Sequence, residues 1–260
     1  VLVLLPPSEG KAAPPSGAPL DLGSLGSPRL TAHRRRVMTA LVRASRRRDA
    51  LTVLGAGPSL AAEVDRNVHL RAAPAAPARE VYTGVLYAAA RLEALPDAAA
   101  RERADRMVRT VSALWGVVSP ADRIPAYRLS MATDLPGVGP LAPSWRGPLS
   151  RELDAVAARE LVVDCRSAAY SAAWRVPPGG PGHVTVSVLR EAEGRRTVVS
   201  HWAKHTRGVL TRHLVTRDGP EPATAQELLD AARELVGTEL LEATLATGPR
   251  GSTVLGLVVA

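Results

Sequence analysis

The chain has 260 residues, a net charge of +8 and a pI near 10.6, so it can bury a real core and its charge favours phosphorylated or polyanionic partners. A single cysteine, Cys165, excludes an internal disulfide framework and any multi-cysteine zinc site. The apolar start, Val1 to Leu5, is too short for a signal peptide and no apolar run is long enough to span a bilayer, so a soluble, cytoplasmic protein without a membrane partner is expected.

Val1 to Leu5 is a continuous apolar run stopped by two prolines, which predicts a central buried strand presenting Ser8, Glu9 and Lys11 at its carboxyl end. Ala12 to Pro28 reads as a loop. Leu30 to Arg48 has helical spacing, with Val37, Leu41 and Val42 as an apolar stripe and Arg34, Arg35, Arg36, Arg46, Arg47 and Arg48 around it. A short helix, the turn Leu54-Gly55-Ala56-Gly57-Pro58 and a helix opened by Pro58 follow. Arg101 to Trp115 predicts a helix running into a strand, Val111 to Val118; Leu149 to Arg159 predicts a helix and Glu160 to Cys165 a buried strand. His183 to Leu189 and Thr197 to Trp202 alternate like antiparallel strands joined at Glu193-Gly194. Helices are expected from about Ala203 to Val215 and from Ala223 to Val236. The fold class is α+β: a single mixed α/β domain over 1–260 with a central mixed sheet and an inserted helical element over about 34–70.

The chain carries 31 arginines but two lysines, Lys11 and Lys204. A compact ammonium can lose its proton when buried and a guanidinium cannot, so the two survivors point to places where Arg does not substitute. Polar clusters fall at the ends of predicted elements, where functional side chains are displayed. Glu9, Lys11, Tyr82, Tyr127 and Lys204 are candidate acid, base or proton-donating groups. Lys204 and Arg207, three apart on one helix face, suit an anion clamp facing Lys11. His201 and His205 lack a third ligand, so no metal is expected. A Gly-x-Gly turn before a helix aims backbone N–H groups and the helix dipole at one spot, which suits a phosphate. Arg46, Arg47, Arg48, Gly55, Gly57 and Ser59 are the phosphate-contact candidates for a polyanion such as DNA, with Gly57 expected at positive φ. Cys165 is expected to be a buried thiol. There is no Gly-x-Ser-x-Gly elbow, Walker loop or dinucleotide Gly-x-Gly-x-x-Gly.

The order Pro-Pro-Ser-Glu-Gly-Lys, Tyr82-Thr83-Gly84, Leu114-Trp115-Gly116-Val117-Val118-Ser119-Pro120, Pro125-Ala126-Tyr127-Arg128-Leu129-Ser130-Met131 and Ala203-Lys204-His205-Thr206-Arg207-Gly208 resembles the YaaA family of peroxide-stress proteins, from Val3 to about Leu214. The resemblance implies a mixed α/β domain with a helix-hairpin-helix element, a basic cleft, DNA binding and a cytoplasmic role in limiting iron-driven oxidative damage. Ser59 departs from DNA-binding hairpins, which often carry a basic residue there. The rival expectation is an enzyme, independent of flavin, haem or any other cofactor, acting on a small nucleobase-like or phosphorylated substrate, with peroxide as a candidate co-substrate. Ser8, Thr83, Gly84, Arg128, Ser167, Tyr170, Ser200, His205 and Arg207 are its binding candidates. A protein-interaction role through the basic helix is a third reading, and the sequence sets no oligomeric state.

Overall fold

The computed structural model describes residues 1–192, 194–198, 200–248 and 251–260, without the side chains of Val198, Ser200 and His201. Its main sheet runs in the spatial order Glu242–Thr247, Thr253–Val259, His183–Ala192, Val162–Asp164, Leu2–Leu5, Val108–Ser112, Gly116–Val118. The five inner strands are mutually parallel and the two edges antiparallel. Leu2–Leu5 is buried throughout, as expected of a run apolar on both faces of a sheet covered by helices. Pro6 and Pro7 then end the ladder, because neither can donate to it.

The helix Thr31–Ser45 buries Val37, Leu41 and Val42 as its spacing requires. Arg34, expected on the solvent face, is fully buried instead. Its Nε and Nη2 each donate over 2.8 Å to the carbonyls of Trp115 and Val117, and Nη1 donates to Gly26 O at 2.7 Å. One guanidinium thereby ties this helix to the Trp115–Val117 turn and to the Gly26 carbonyl through backbone acceptors. That turn also corrects the expected strand Val111 to Val118: Val108–Ser112 and Gly116–Val118 are two antiparallel strands. Gly116 sits at φ 73°, and a Cβ there would collide with the Trp145 ring; only glycine meets both demands.

Helices Val85–Ala90, Ala98–Met107 and Ser200–Thr216 pack together. Gly208 lies so close to the Leu86 carbonyl that no Cβ fits between them. The helix expected from Leu149 begins at Leu141 and carries Pro148 inside it. Thr197 to Trp202, expected as a strand, is divided: Arg195–Val198 pairs antiparallel with His183–Ala192, while Ser200 already begins the next helix. Gly194 takes φ 71° in the connecting turn; Glu193 lies outside the described residues. No element is expected from the sequence pattern after Val236, where the structure places Glu242–Thr247 and Thr253–Val259. Among the described residues no helix is long and apolar enough to cross a membrane.

Candidate active-site crevice

The strands Leu2–Leu5 and Val162–Asp164 are parallel neighbours. The chain leaves the first towards Val108–Ser112 on one side and the second towards His183–Ala192 on the other. Connections that depart in opposite directions open a crevice at the carboxyl ends of the strands, which is where open α/β sheets hold ligands. A cleft of about 350 Å³ lies there. Its walls are the loop Pro6 to Gly10, the segment Thr83 to Tyr87, Ser167 with Tyr170, and Lys204 with Arg207. The last pair arrives because His183–Ala192 outruns the short strand Val162–Asp164; Arg195–Val198 folds back on that same side and delivers the helix Ser200–Thr216 across the crevice.

Hydrogen bonds hold the loops in register. Ser8 Oγ donates to Gly10 O at 2.5 Å and accepts from Thr83 N at 3.0 Å. Tyr87 donates to Pro6 O at 2.8 Å, and Gly84, at φ 92°, turns the chain into the helix behind it. Burial raises the Tyr87 and Tyr170 phenols, so both stay protonated. Arg207 Nη2 donates to Val186 O at 2.8 Å, while its buried Nε finds no partner among the described residues. Lys204 is exposed on the cleft wall. His205 instead lines a separate groove beside Trp202 and Val259. The Ser200 side chain lies outside the described residues.

Lys11 belongs to a cluster beside the cleft and does not line it. Its Nζ donates to Ser8 O at 2.7 Å and Glu9 O at 3.4 Å and lies 4.3 Å from the Tyr127 ring centroid and 5.7 Å from that of Tyr82. Arg128 pairs with Glu9 at 2.7 Å and with Glu63 at 3.5 Å. Burial pushes the Lys11 ammonium down to about 7, with Arg128 adding to the shift and Glu9 and Glu63 opposing it. The amine is therefore substantially neutral near pH 7, able to accept a proton or attack an electrophile. Behind it, Ser112 Oγ accepts from the Leu114 and Trp115 amides at 3.2 and 3.0 Å. Its own hydrogen is thus directed at Tyr127 Oη, 2.7 Å away, and Tyr127 meets Tyr82 Oη at 3.1 Å. Burial raises Tyr127 to about 12 and Tyr82 well above its usual range. Lys11, Tyr82, Tyr127 and Arg128 thus come together, and Lys204 shares the cleft with the Ser8 to Gly10 segment.

A family model described as peroxide stress protein YaaA matches residues 1–233. The chain belongs to this family. A UPF0246 protein of Streptomyces coelicolor is 47% identical over 252 residues, covering 96% of this chain and 95% of the relative. UPF0246 proteins of Corynebacterium efficiens and Corynebacterium glutamicum are 44% and 37% identical, each over 238 residues, with 90% of this chain and 92% of the relative covered.

In this YaaA-family chain the DNA-contact candidates scatter over the helical segment that follows Thr31. Arg46 lines a groove of about 510 Å³ together with Arg43, Arg71 and His69, three residues outside the candidate set read from the sequence. Arg47 is ion-paired with Asp49 at 2.7 Å, and Arg48 and Ser59 are exposed. Positive φ falls on Gly55, at 61°, whereas Gly57 is extended at φ −75°. The turn reverses at its first glycine, so the second needs no glycine geometry. The Gly55 and Ala56 amides already donate to Thr52 O and Leu51 O at 3.1 and 2.8 Å, which leaves fewer free donors than the sequence implies. Among the described residues no three His, Cys, Asp or Glu side chains form a metal-binding group. Cys165 is buried, its thiol pushed up to about 12 by burial.

Proposed function

We propose that this peroxide-stress family member is an enzyme acting on a small, flat, anionic molecule of nucleobase-like or phosphorylated chemistry in the crevice, without a bound flavin or haem. The supporting observation is the crevice at the strand-order reversal, with Pro6, Tyr87 and Tyr170 as apolar walls and Lys204 and Arg207 as cations. Apolar walls with a few convergent polar groups are the usual make-up of a small-molecule site. Lys11 lies behind the loop that forms one wall, together with the protonated phenols Tyr82 and Tyr127, and we assign this cluster to holding a proton behind that wall. The family's description, peroxide stress protein, supports a role for such an activity within the response to peroxide. Calorimetry of purines, pyrimidines and nucleoside monophosphates against the wild type and Arg207→Gln tests this. One class should bind and lose at least about tenfold in affinity in the variant, the worth of one charge-assisted hydrogen bond. No binding across the panel, or equal binding by both proteins, refutes it.

A second reading is duplex DNA held by its phosphates in a cytoplasmic stress response, favoured by the groove that Arg43, Arg46 and Arg71 line. Phosphate-directed arginines position a duplex without reading its bases. Neutralising these arginines should lower the salt dependence of binding by roughly 0.9 for each phosphate no longer neutralised. Binding indifferent to salt removes this reading.

A further inference from the structure

Asn67 is the chain's only asparagine and is fully buried. It opens the turn Asn67–His69, which closes the arginine-rich helical segment. Its Oδ1 accepts from the Arg128 amide at 2.9 Å, and its Nδ2 donates to the Arg128 carbonyl at 2.9 Å and to Ser45 Oγ at 3.2 Å. A side-chain amide here plays the part of a strand partner for the backbone of one residue. From that clamped backbone the Arg128 guanidinium reaches Glu9 on the crevice loop and Glu63 on the helix Ala61–Arg66. Its Nη1 also donates to Glu9 O at 3.3 Å, the same carbonyl that Lys11 Nζ approaches at 3.4 Å. A planar fork meets two carboxylates and a carbonyl only when its root is held, and Asn67 is what holds it.

We infer that Asn67 is a positioning residue, which fixes Arg128 against Glu9 and so lets the arginine-rich helical segment set the charge environment of Lys11. The inference deepens the crevice reading and rests on it for its functional meaning. The groups facing Lys11 are Glu9, Arg128, Glu63 and the phenols of Tyr82 and Tyr127. Arg128 opposes the lysine's charge, and the two carboxylates favour it. Releasing Arg128 removes a nearby cation and frees Glu9 for Lys11, so the lysine should hold its proton to higher pH.

With only two lysines, carbon-13 lysine labelling yields two Cε resonances, assigned through Lys204→Arg and titrated by NMR. Asn67→Ala should raise the Lys11 pKa by about one unit, and the milder Asn67→Ser should move it the same way. Ser45→Ala cuts only the remaining bond of Asn67 and should leave the titration in place. Glu63→Gln, which keeps the side-chain shape at a partly exposed position, should shift Lys11 downward. A folded Asn67 variant titrating like the wild type, an equal shift in Ser45→Ala, or an unmoved Lys11 in Glu63→Gln overturns the inference. Should neither Asn67 variant fold, Glu63→Gln decides. Failure of every crevice ligand to bind the wild type would strike the crevice reading alone, since the lysine titration needs no ligand.

Discussion

Replacing Lys11 by Met keeps the apolar stem and removes the ammonium, and the consequence for stability must change with pH. The unfolded lysine holds its proton up to 10.5, whereas the native one releases it near 7. Below pH 7 both states are protonated and the native state bears the full cost of enclosing the charge. Between pH 7 and 10.5 the unfolded chain binds more protons, so wild-type stability rises with pH relative to Lys11→Met. At about 1.4 kcal/mol per pH unit the displacement sets a ceiling of about 5 kcal/mol. The residue is only half-buried and Glu9 is solvent-facing, so screening reduces the expected gain to about 2–3 kcal/mol. Urea unfolding of both proteins from pH 6 to 9.5 measures the difference. Arginines do not titrate in this range, and the raised phenols are common to both proteins and cancel. Lys11→Met should be the more stable protein at pH 6, with the advantage shrinking as pH rises. A difference that is flat across the series would mean a solvated ammonium of ordinary pKa and would refute the reasoning.

Gly208→Ala would force a Cβ against the Leu86 carbonyl and to 2.8 Å from Ala89 Cβ. Overpacking should cost about 1–3 kcal/mol and push away the helix that forms one crevice wall; a urea midpoint equal to wild type counts against the close approach. Arg34→Met removes a donor from the carbonyls of Gly26, Ser27, Trp115 and Val117 and should destabilise by about 3 kcal/mol or more, with Arg34→Lys restoring little because one ammonium cannot span the same acceptors. A loss under about 0.5 kcal/mol, the level of an ordinary surface change, would contradict the assigned role. Cys165 should ignore a thiol reagent at pH 8 until the protein unfolds, and rapid native-state labelling would show that the buried thiol is accessible after all.

Local chemistry carried much of the chain's plan. The run Leu2–Leu5 is apolar at every position and so can only be an interior strand, and the prolines after it end the ladder whatever surrounds them. The scarcity of lysine drew attention to Lys11 and Lys204, and the stripe of Val37, Leu41 and Val42 named the buried face of its helix. Family membership was legible in ordered blocks such as Tyr82-Thr83-Gly84. Other features depend on neighbours distant in sequence. Arg34 looks like its two arginine neighbours, and it is buried because its guanidinium is held by the carbonyls of Trp115 and Val117, more than eighty residues away. Gly55 and Gly57 are equivalent in a Gly-x-Gly pattern, yet the reversal falls on the first. The crevice depends on strand order, which no single segment encodes, and Lys11 owes its low pKa to enclosure by Tyr127, Arg128 and its own loop. Hydrophobic period and turn chemistry are local and readable along the chain; burial of a charge and the meeting of loops are properties of tertiary contacts, and only the folded structure decided them.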